Sequence, residues 1–314
     1  ALNFKKNGAQ PIILDSLSVN NLYSLVDDEV KNKNLYKAIL KNRIELLKSN
    51  KIELIVQDAR DYHKISELYS EINPDIIIHL AAVSHANKSN KDPHSTFDHS
   101  LRTLENSLDF ARINKTHLIY MSSSMVYGDF NSKEVNEDTK CNPIGIYGTL
   151  KYSGELLVKS YNQIFDLPYT IIRPSALYGE RCVSRRVGQI FIENAIQNID
   201  IKINGSGEDK LDFTYIDDLV KGISLCCGNK NAINQTFNLT FGKSKKINEL
   251  VAILKEEFPN VKVSYAEREK FMPERGTLNI ENAKKKLGFN PDYPIETGYL
   301  QYINWYKKFW KEFN

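Results

Sequence analysis

A phenol and a primary amine four residues apart, with a run of hydroxyls shortly upstream, are the side chains of this sequence best suited to chemistry. They are Tyr147 and Lys151, in Pro143-Ile144-Gly145-Ile146-Tyr147-Gly148-Thr149-Leu150-Lys151, and Ser122-Ser123-Ser124, which closes the hydrophobic run Leu118-Ile119-Tyr120-Met121. A spacing of four places both side chains on one helix face. Such a pair suits hydride removal from a secondary alcohol, because the hydroxyl proton must leave as the hydride does. A free phenol titrates at about 10 and is a poor base at neutral pH. An ammonium one turn away is expected to lower that value, and a serine hydroxyl can hold the substrate oxygen and relay its proton. Ser123, Tyr147 and Lys151 are therefore the candidate catalytic residues.

A Tyr and a Lys at this spacing are common as a surface pair, so their surroundings carry the weight. These are the serine run, the turn Val126-Tyr127-Gly128, and Arg173-Pro174-Ser175-Ala176-Leu177-Tyr178-Gly179. With these motifs the chain resembles the extended short-chain dehydrogenase/reductase family, specifically its NAD-dependent nucleotide-sugar epimerases and dehydratases, over essentially its whole length. The resemblance implies an α/β fold: a doubly wound, Rossmann-like parallel sheet with a smaller C-terminal substrate lobe. Residues 1–174 would form the NAD-binding domain and 175–314 mainly the lobe, with 211–240 partly returning to the sheet.

The 314 residues can bury a large core, and with 41% hydrophobic and 26% charged residues the composition is that of an ordinary soluble protein. A net charge of +3 argues against a dedicated nucleic-acid partner, and no apolar run approaches a membrane span. The four cysteines, Cys141, Cys182, Cys226 and Cys227, have neither metal-ligand spacing nor the density of a disulfide framework, which fits a reducing cytoplasm and no metal.

The chain opens with the rear of a helix, a turn at Asn7-Gly8 and a strand from Pro11 to Asp15. None of the 15 glycines forms the GxxGxxG loop that binds a dinucleotide pyrophosphate, so a preceding βα unit of roughly 15 to 20 residues is expected to be missing. Asp15 closes that strand where an acidic residue bonds the adenosine ribose and favours NAD over NADP. Residues 20–50 have helical spacing and exceed what a connection needs, as an insertion near the cofactor or a partner surface. The strand Ile52–Val56 runs into Gln57-Asp58-Ala59-Arg60-Asp61, which resembles the family's adenine-contacting turn, so Asp58 and Ala59 are candidate cofactor contacts. Pro74 to Ala82 reads as a buried strand whose end, His79-Leu80-Ala81-Ala82, matches the family's approach to the nicotinamide; Leu80, Ala81 and Ala82 join the cofactor candidates, while His79 reads as packing. A single helix is predicted from His94 to Arg112.

For the substrate, a nucleotide sugar by resemblance, the loop after that strand offers Ser84 and His85, and the serine run offers Ser124. Family dehydratases carry an acid pair in the two positions after the catalytic hydroxyl, and decarboxylases a Glu two positions after it; here stand Ser124 and Met125. That favours oxidation and re-reduction at C4, as in 4-epimerases, over dehydratase, decarboxylase or net dehydrogenase chemistry. A non-catalytic dinucleotide sensor or scaffold is the alternative outside enzymes. The segment Glu180 to Arg186 concentrates three arginines, of which Arg181 and Arg186 are candidates for a diphosphate or a uronate carboxylate. Leu211 stands where many relatives place an Arg, so Lys210 is its expected substitute. Arg275, in Pro273-Glu274-Arg275-Gly276, matches the element whose Arg reaches the diphosphate. The resemblance also implies a homodimer built on two helices per subunit.

Overall fold

The computed structural model describes residues 1–25, 31–83, 86–270 and 272–313. Parallel strands carry the first lobe: β1 (Ile12–Asp15) pairs with β2 (Glu53–Val56), and β3 (Ile76–His79), β4 (His117–Met121), β6 (Tyr169–Arg173) and β11 (Gln235–Asn238) form a four-stranded sheet in the order β11-β6-β4-β3. Every residue of β6 and four of five in β4 are buried, as central strands covered on both faces must be. Alternation assigns the faces. Leu118, Tyr120 and Ile171 pack with the helices Thr103–Asn114 and Gly145–Phe165, whereas Ile119 and Ile172 pack with the helices Ile216–Cys226 and Glu281–Leu287. Helices on both faces make the sheet doubly wound, as expected.

Short strands tie the second lobe together. The strands β5 (Glu134–Val135) and β14 (Thr277–Leu278) pair in parallel, as do β7 (Leu177–Tyr178) with β10 (Thr214–Tyr215) and β8 (Ile201–Asn204) with β13 (Val263–Ala266); β9 (Lys210–Leu211) and β12 (Lys245–Lys246) are antiparallel. The helices Val187–Ile196, Ile247–Glu257 and Ile295–Phe313 bury Phe191, Leu250, Tyr299, Tyr302 and Tyr306 in one core. Cys226 packs in the sheet core, and burial pushes its thiol up to about 12.

Two elements depart from expectation. The predicted helix His94–Arg112 is broken into Pro93–Phe97, a π turn at Asp98–Arg102 and Thr103–Asn114. The Thr103 hydroxyl interrupts it, donating toward the His99 and Ala81 carbonyls. The 20–50 segment forms a short turn at Leu22–Leu25 and the helix Lys33–Ser49, and it packs against the second lobe rather than standing free. Leu35, Tyr36, Ile39 and Leu40 enter that lobe's core. There the buried Glu193 carboxylate accepts bonds from Asn32 (2.8 Å), Tyr36 (2.8 Å), Gln189 (2.8 Å) and Tyr306 (2.9 Å), joining three elements at one anion.

Candidate active site

The end of β4 and one face of the helix Gly145–Phe165 meet residue by residue. Tyr147, Lys151 and Glu155 follow each other at intervals of four, so they stack along one side of the helix. The Lys151 ammonium donates to the Met121 carbonyl at 2.7 Å and lies 5.2 Å from the centre of the Tyr120 ring. The Ser122 hydroxyl donates to Glu155 at 2.5 Å. Ser123, whose Oγ accepts the Met125 N–H at 3.2 Å and so starts the turn Ser124–Tyr127, hydrogen-bonds the Tyr147 phenol. Thus the three candidate catalytic residues converge. Gly148 sets the approach, since a Cβ there would stand 2.7 Å from the Met125 carbonyl oxygen. Gly148→Ala is expected to push the helix off the strand end, costing about 1–3 kcal/mol and lowering turnover more than thermal unfolding alone would, which calorimetry beside an activity assay measures.

The electrostatics differ from the expectation at Tyr147. Burial raises the phenol above its usual value, and the groups opposing that rise are the Arg186 guanidinium, the Ser123 hydrogen bond and the Arg275 guanidinium. Lys151 is not among them, because its ammonium is turned onto the Met121 carbonyl and is itself buried, with its own value drawn down to about 8. The expected lowering of the phenol by Lys151 is therefore corrected: the cations that favour the phenolate come from the second lobe. A base that works ionised with a raised value gains activity as pH rises. Hence kcat/KM is expected to climb from neutral to alkaline pH, and Arg186→Ala to move that limb higher, with the deficit largest near pH 7 and shrinking above it.

Between the lobes lies a cavity of about 400 Å³. Its lining brings Ser123, Ser124, Met125 and Tyr147 together with the cations Arg185, Arg186, Lys202, Lys210, Arg268 and Arg275 and the carboxylates Asp209 and Glu269. Arg268 is paired with Asp209 at 3.2 Å. Among the described residues the buried Arg275 Nε has no hydrogen-bond partner, and burial together with Arg186 draws its guanidinium down to about 10. The strands β5 and β14 hold it there, aided by the Phe130 N–H donating to the Glu274 carbonyl at 2.7 Å. Arg181 is placed elsewhere: its Nε donates to Asn42 at 2.9 Å, its guanidinium lies over Trp305, and its carbonyl accepts from Arg43. Left-handed backbone at Arg181 (φ 63°) and Arg185 (φ 53°) turns the segment so that Arg185 and Arg186, and not Arg181, line the cavity. The expected contacts Ser84 and His85 lie outside the described residues. Arg185 and Arg268 were not expected at the site; Arg185 sits in a visible arginine pair, and Arg268 has no local signal.

The sequence profile of the NAD dependent epimerase/dehydratase family matches residues 14–240, well over half of the chain. The chain belongs to this family. Among its relatives is a Methanocaldococcus jannaschii protein named "Putative UDP-glucose 4-epimerase", 30% identical over 94% of both chains. The UDP-glucose 4-epimerase of Thermotoga maritima, solved with UDP-glucose, superposes with a TM-score of 0.84 at 24% identity, covering 98% of this chain and 93% of its own. The UDP-glucuronic acid 4-epimerase of Bacillus cereus, solved with UDP-glucuronic acid and NAD, gives 0.80 at 22% identity, covering 95% and 99%. At these identities the structures establish the fold.

As a member of an NAD dependent family the chain has NAD as its cofactor, and the carboxyl ends of the parallel strands bear on where it fits. The residues at the ends of β1 and β3 present a carboxylate, Asp15, and a largely open apolar surface at Leu80, which is 63% exposed. Asp15 Oδ1 accepts the Leu17 N–H at 2.6 Å, while among the described residues Oδ2 has only a 3.5 Å contact from Asn21, leaving acceptor capacity for ribose hydroxyls. Small Ala81 and Ala82 follow Leu80. This donor set fits a dinucleotide. Asp58 fits it less well, because Arg60 grips its carboxylate at 2.6 Å and also reaches Asp98. The Ala59 carbonyl is likewise engaged by Asn106 at 2.8 Å. His79 is buried, bonded to Ser107 at 3.1 Å, in line with packing.

Among the described residues no cluster of His, Cys, Asp or Glu could hold a metal ion, and no helix is long and apolar enough to cross a membrane.

Proposed function

We propose that this protein is an NAD-dependent nucleotide-sugar 4-epimerase acting through a transient 4-keto sugar, with a UDP-hexose or UDP-glucuronate as substrate. The observation that carries this reading is that Ser123 and Tyr147 line one cavity together with several guanidinium groups, Arg186 and Arg275 among them. Ser123 holds the C4 oxygen, and the Tyr147 phenolate takes the C4 hydroxyl proton and later returns it. When bound, NAD supplies the acceptor and then the donor of the C4 hydride. Lys151 holds the nicotinamide ribose. Arg275, with Arg186 beside it, takes the diphosphate, since guanidinium groups bind phosphates through forked, charge-assisted hydrogen bonds. The positions after Ser123, occupied by buried Ser124 and Met125, offer no carboxylate for proton removal at a neighbouring carbon, which supports epimerisation over dehydration or decarboxylation.

The test is to incubate the protein with NAD and a panel of UDP- and GDP-sugars and follow products by mass and NMR. An isomer of unchanged mass is expected. Loss of water, carbon dioxide or two hydrogens would overturn the epimerase assignment. We also propose a cytoplasmic homodimer joined through the helices Thr103–Asn114 and Gly145–Phe165, whose outer faces expose Ile113, Leu156 and Ile164. Light scattering at twice the chain mass supports that assembly, and a monomer refutes it.

A further inference from the structure

Below Tyr147 and Lys151, the same helix face carries Glu155, fully buried. Its Oε1 accepts the Ser122 hydroxyl at 2.5 Å and the Arg173 Nε at 2.9 Å, and its Oε2 accepts the Arg173 Nη2 at 2.7 Å. Arg173 is itself held from the far side, donating to the Tyr127 hydroxyl at 2.9 Å and the Glu137 carbonyl at 3.2 Å. Three consecutive residues at the end of β4 thus grip three consecutive turns of the helix: Ser123 with Tyr147, Met121 with Lys151, Ser122 with Glu155.

We propose that Glu155 is a positioning residue for the reaction: anchored by Ser122 and Arg173, it stands one turn below Lys151 and holds the charge on that buried amine. The inference rests on reading Tyr147 and Lys151 as parts of the reacting site. Lys151 is 6% exposed, and burial works against its charge. The groups that face it are few. From β3 comes His79, whose imidazole is driven down to about 3 by burial and by Lys151, and is therefore neutral. From β4 come the Tyr120 ring and the Met121 carbonyl. Among the described residues only Glu155 brings a full negative charge that favours the ammonium. Around Glu155 stand Arg173 and the neutral Tyr120, Tyr169 and Cys141, whose ionisation it opposes. A carboxylate needed only to neutralise Arg173 would require neither the Ser122 bond nor a place one turn from Lys151.

The experiment is a titration of the full chain with 13Cε-labelled lysine, followed by NMR, beside the pH profile of kcat. Lys151→Arg identifies the Lys151 resonance, which should titrate near 8 and so apart from the surface lysines. Glu155→Gln removes the charge but leaves Arg173 buried without its counter-ion. The double variant Glu155→Gln with Arg173→Gln removes both charges together and keeps the test available if the single variant does not fold. The expected result in a folded variant is a Lys151 resonance titrating about one pH unit lower, with kcat near pH 8 falling several-fold beside it. An unmoved resonance overturns the proposal. A moved resonance with an unchanged kcat overturns the role in the reaction. The NMR titration needs no substrate, so it reports on Glu155 even if no nucleotide sugar is turned over, an outcome that would instead defeat the epimerase reading.

Discussion

Tyr147→Phe is expected to lower turnover by about 10³-fold while leaving the fold and nucleotide-sugar binding intact. The substitution removes one oxygen and keeps the ring, so the contacts of the helix Gly145–Phe165 are preserved. What is lost is the group that exchanges the C4 hydroxyl proton, and positioned acid–base groups contribute about 10²–10⁴-fold to rates. Among the described residues Ser123 has no strong base to take over, because the partner left to its hydroxyl once the phenol is gone is the Met125 N–H, a donor. Steady-state kinetics with calorimetric binding of the sugar nucleotide check both halves. Turnover within tenfold of the native protein would remove Tyr147 from its assigned role. A tenfold or greater loss of binding would instead show that the phenol holds the ground state.

The meeting of Ser123 with the helix face that carries Tyr147 and Lys151 was legible in the sequence because its geometry is local. A spacing of four fixes Tyr147 and Lys151 on one helix face, and a serine run ending a buried strand must surface at the carboxyl edge of a parallel sheet. The direction of the Tyr147 shift was not legible. It depends on burial between two lobes and on which of several cations points at the phenol, and the cation nearest in sequence is spent on the Met121 carbonyl. For the same reason Arg181 was misplaced: two left-handed residues, Arg181 and Arg185, decide which guanidiniums enter the cavity, and neither is a glycine that would mark the turn. Asp58 shows a shorter-range failure. Its acidic turn looks available in sequence, yet Arg60, two residues on, folds back onto it with help from Asp98 across 38 positions.

Strands β1, β2 and β3 lie within the runs Pro11–Asp15, Ile52–Val56 and Pro74–Ala82 that the sequence marks, and β4 holds the hydrophobic run Leu118 to Met121. The destination of the 20–50 segment was hidden, although its helical spacing was clear. Amphipathic spacing says that one face must be covered, not by what, and the cover is the second lobe with Glu193 at its centre. Through that contact the segment joins the chain leaving Asp15 to the helix that follows Arg185 and Arg186, so the cofactor strand and these cavity arginines share a brace.

Arg275→Ala is expected to move stability and affinity in opposite directions. Among the described residues the buried Arg275 Nε has no acceptor, and Arg186 repels the guanidinium. An unsatisfied buried donor costs about 1–3 kcal/mol, so truncation should leave the stability of the substrate-free protein unchanged or raise it by up to about 1–2 kcal/mol after lost packing is counted, read as an equal or higher thermal midpoint. With a nucleotide diphosphate present the sign reverses. The same donor would then gain a charged acceptor, and bonds of that kind are worth about 1.5–3 kcal/mol, which predicts KM rising about 10- to 100-fold with kcat changed less. Ligand-induced thermal shifts read both effects in one experiment, because a ligand that binds only the native state stabilises it by mass action. The native protein should gain a large shift from a UDP-sugar and Arg275→Ala a small one from a higher baseline. Equal shifts in the two proteins would take Arg275 out of the diphosphate site, and a sharply lowered baseline would make it a structural arginine.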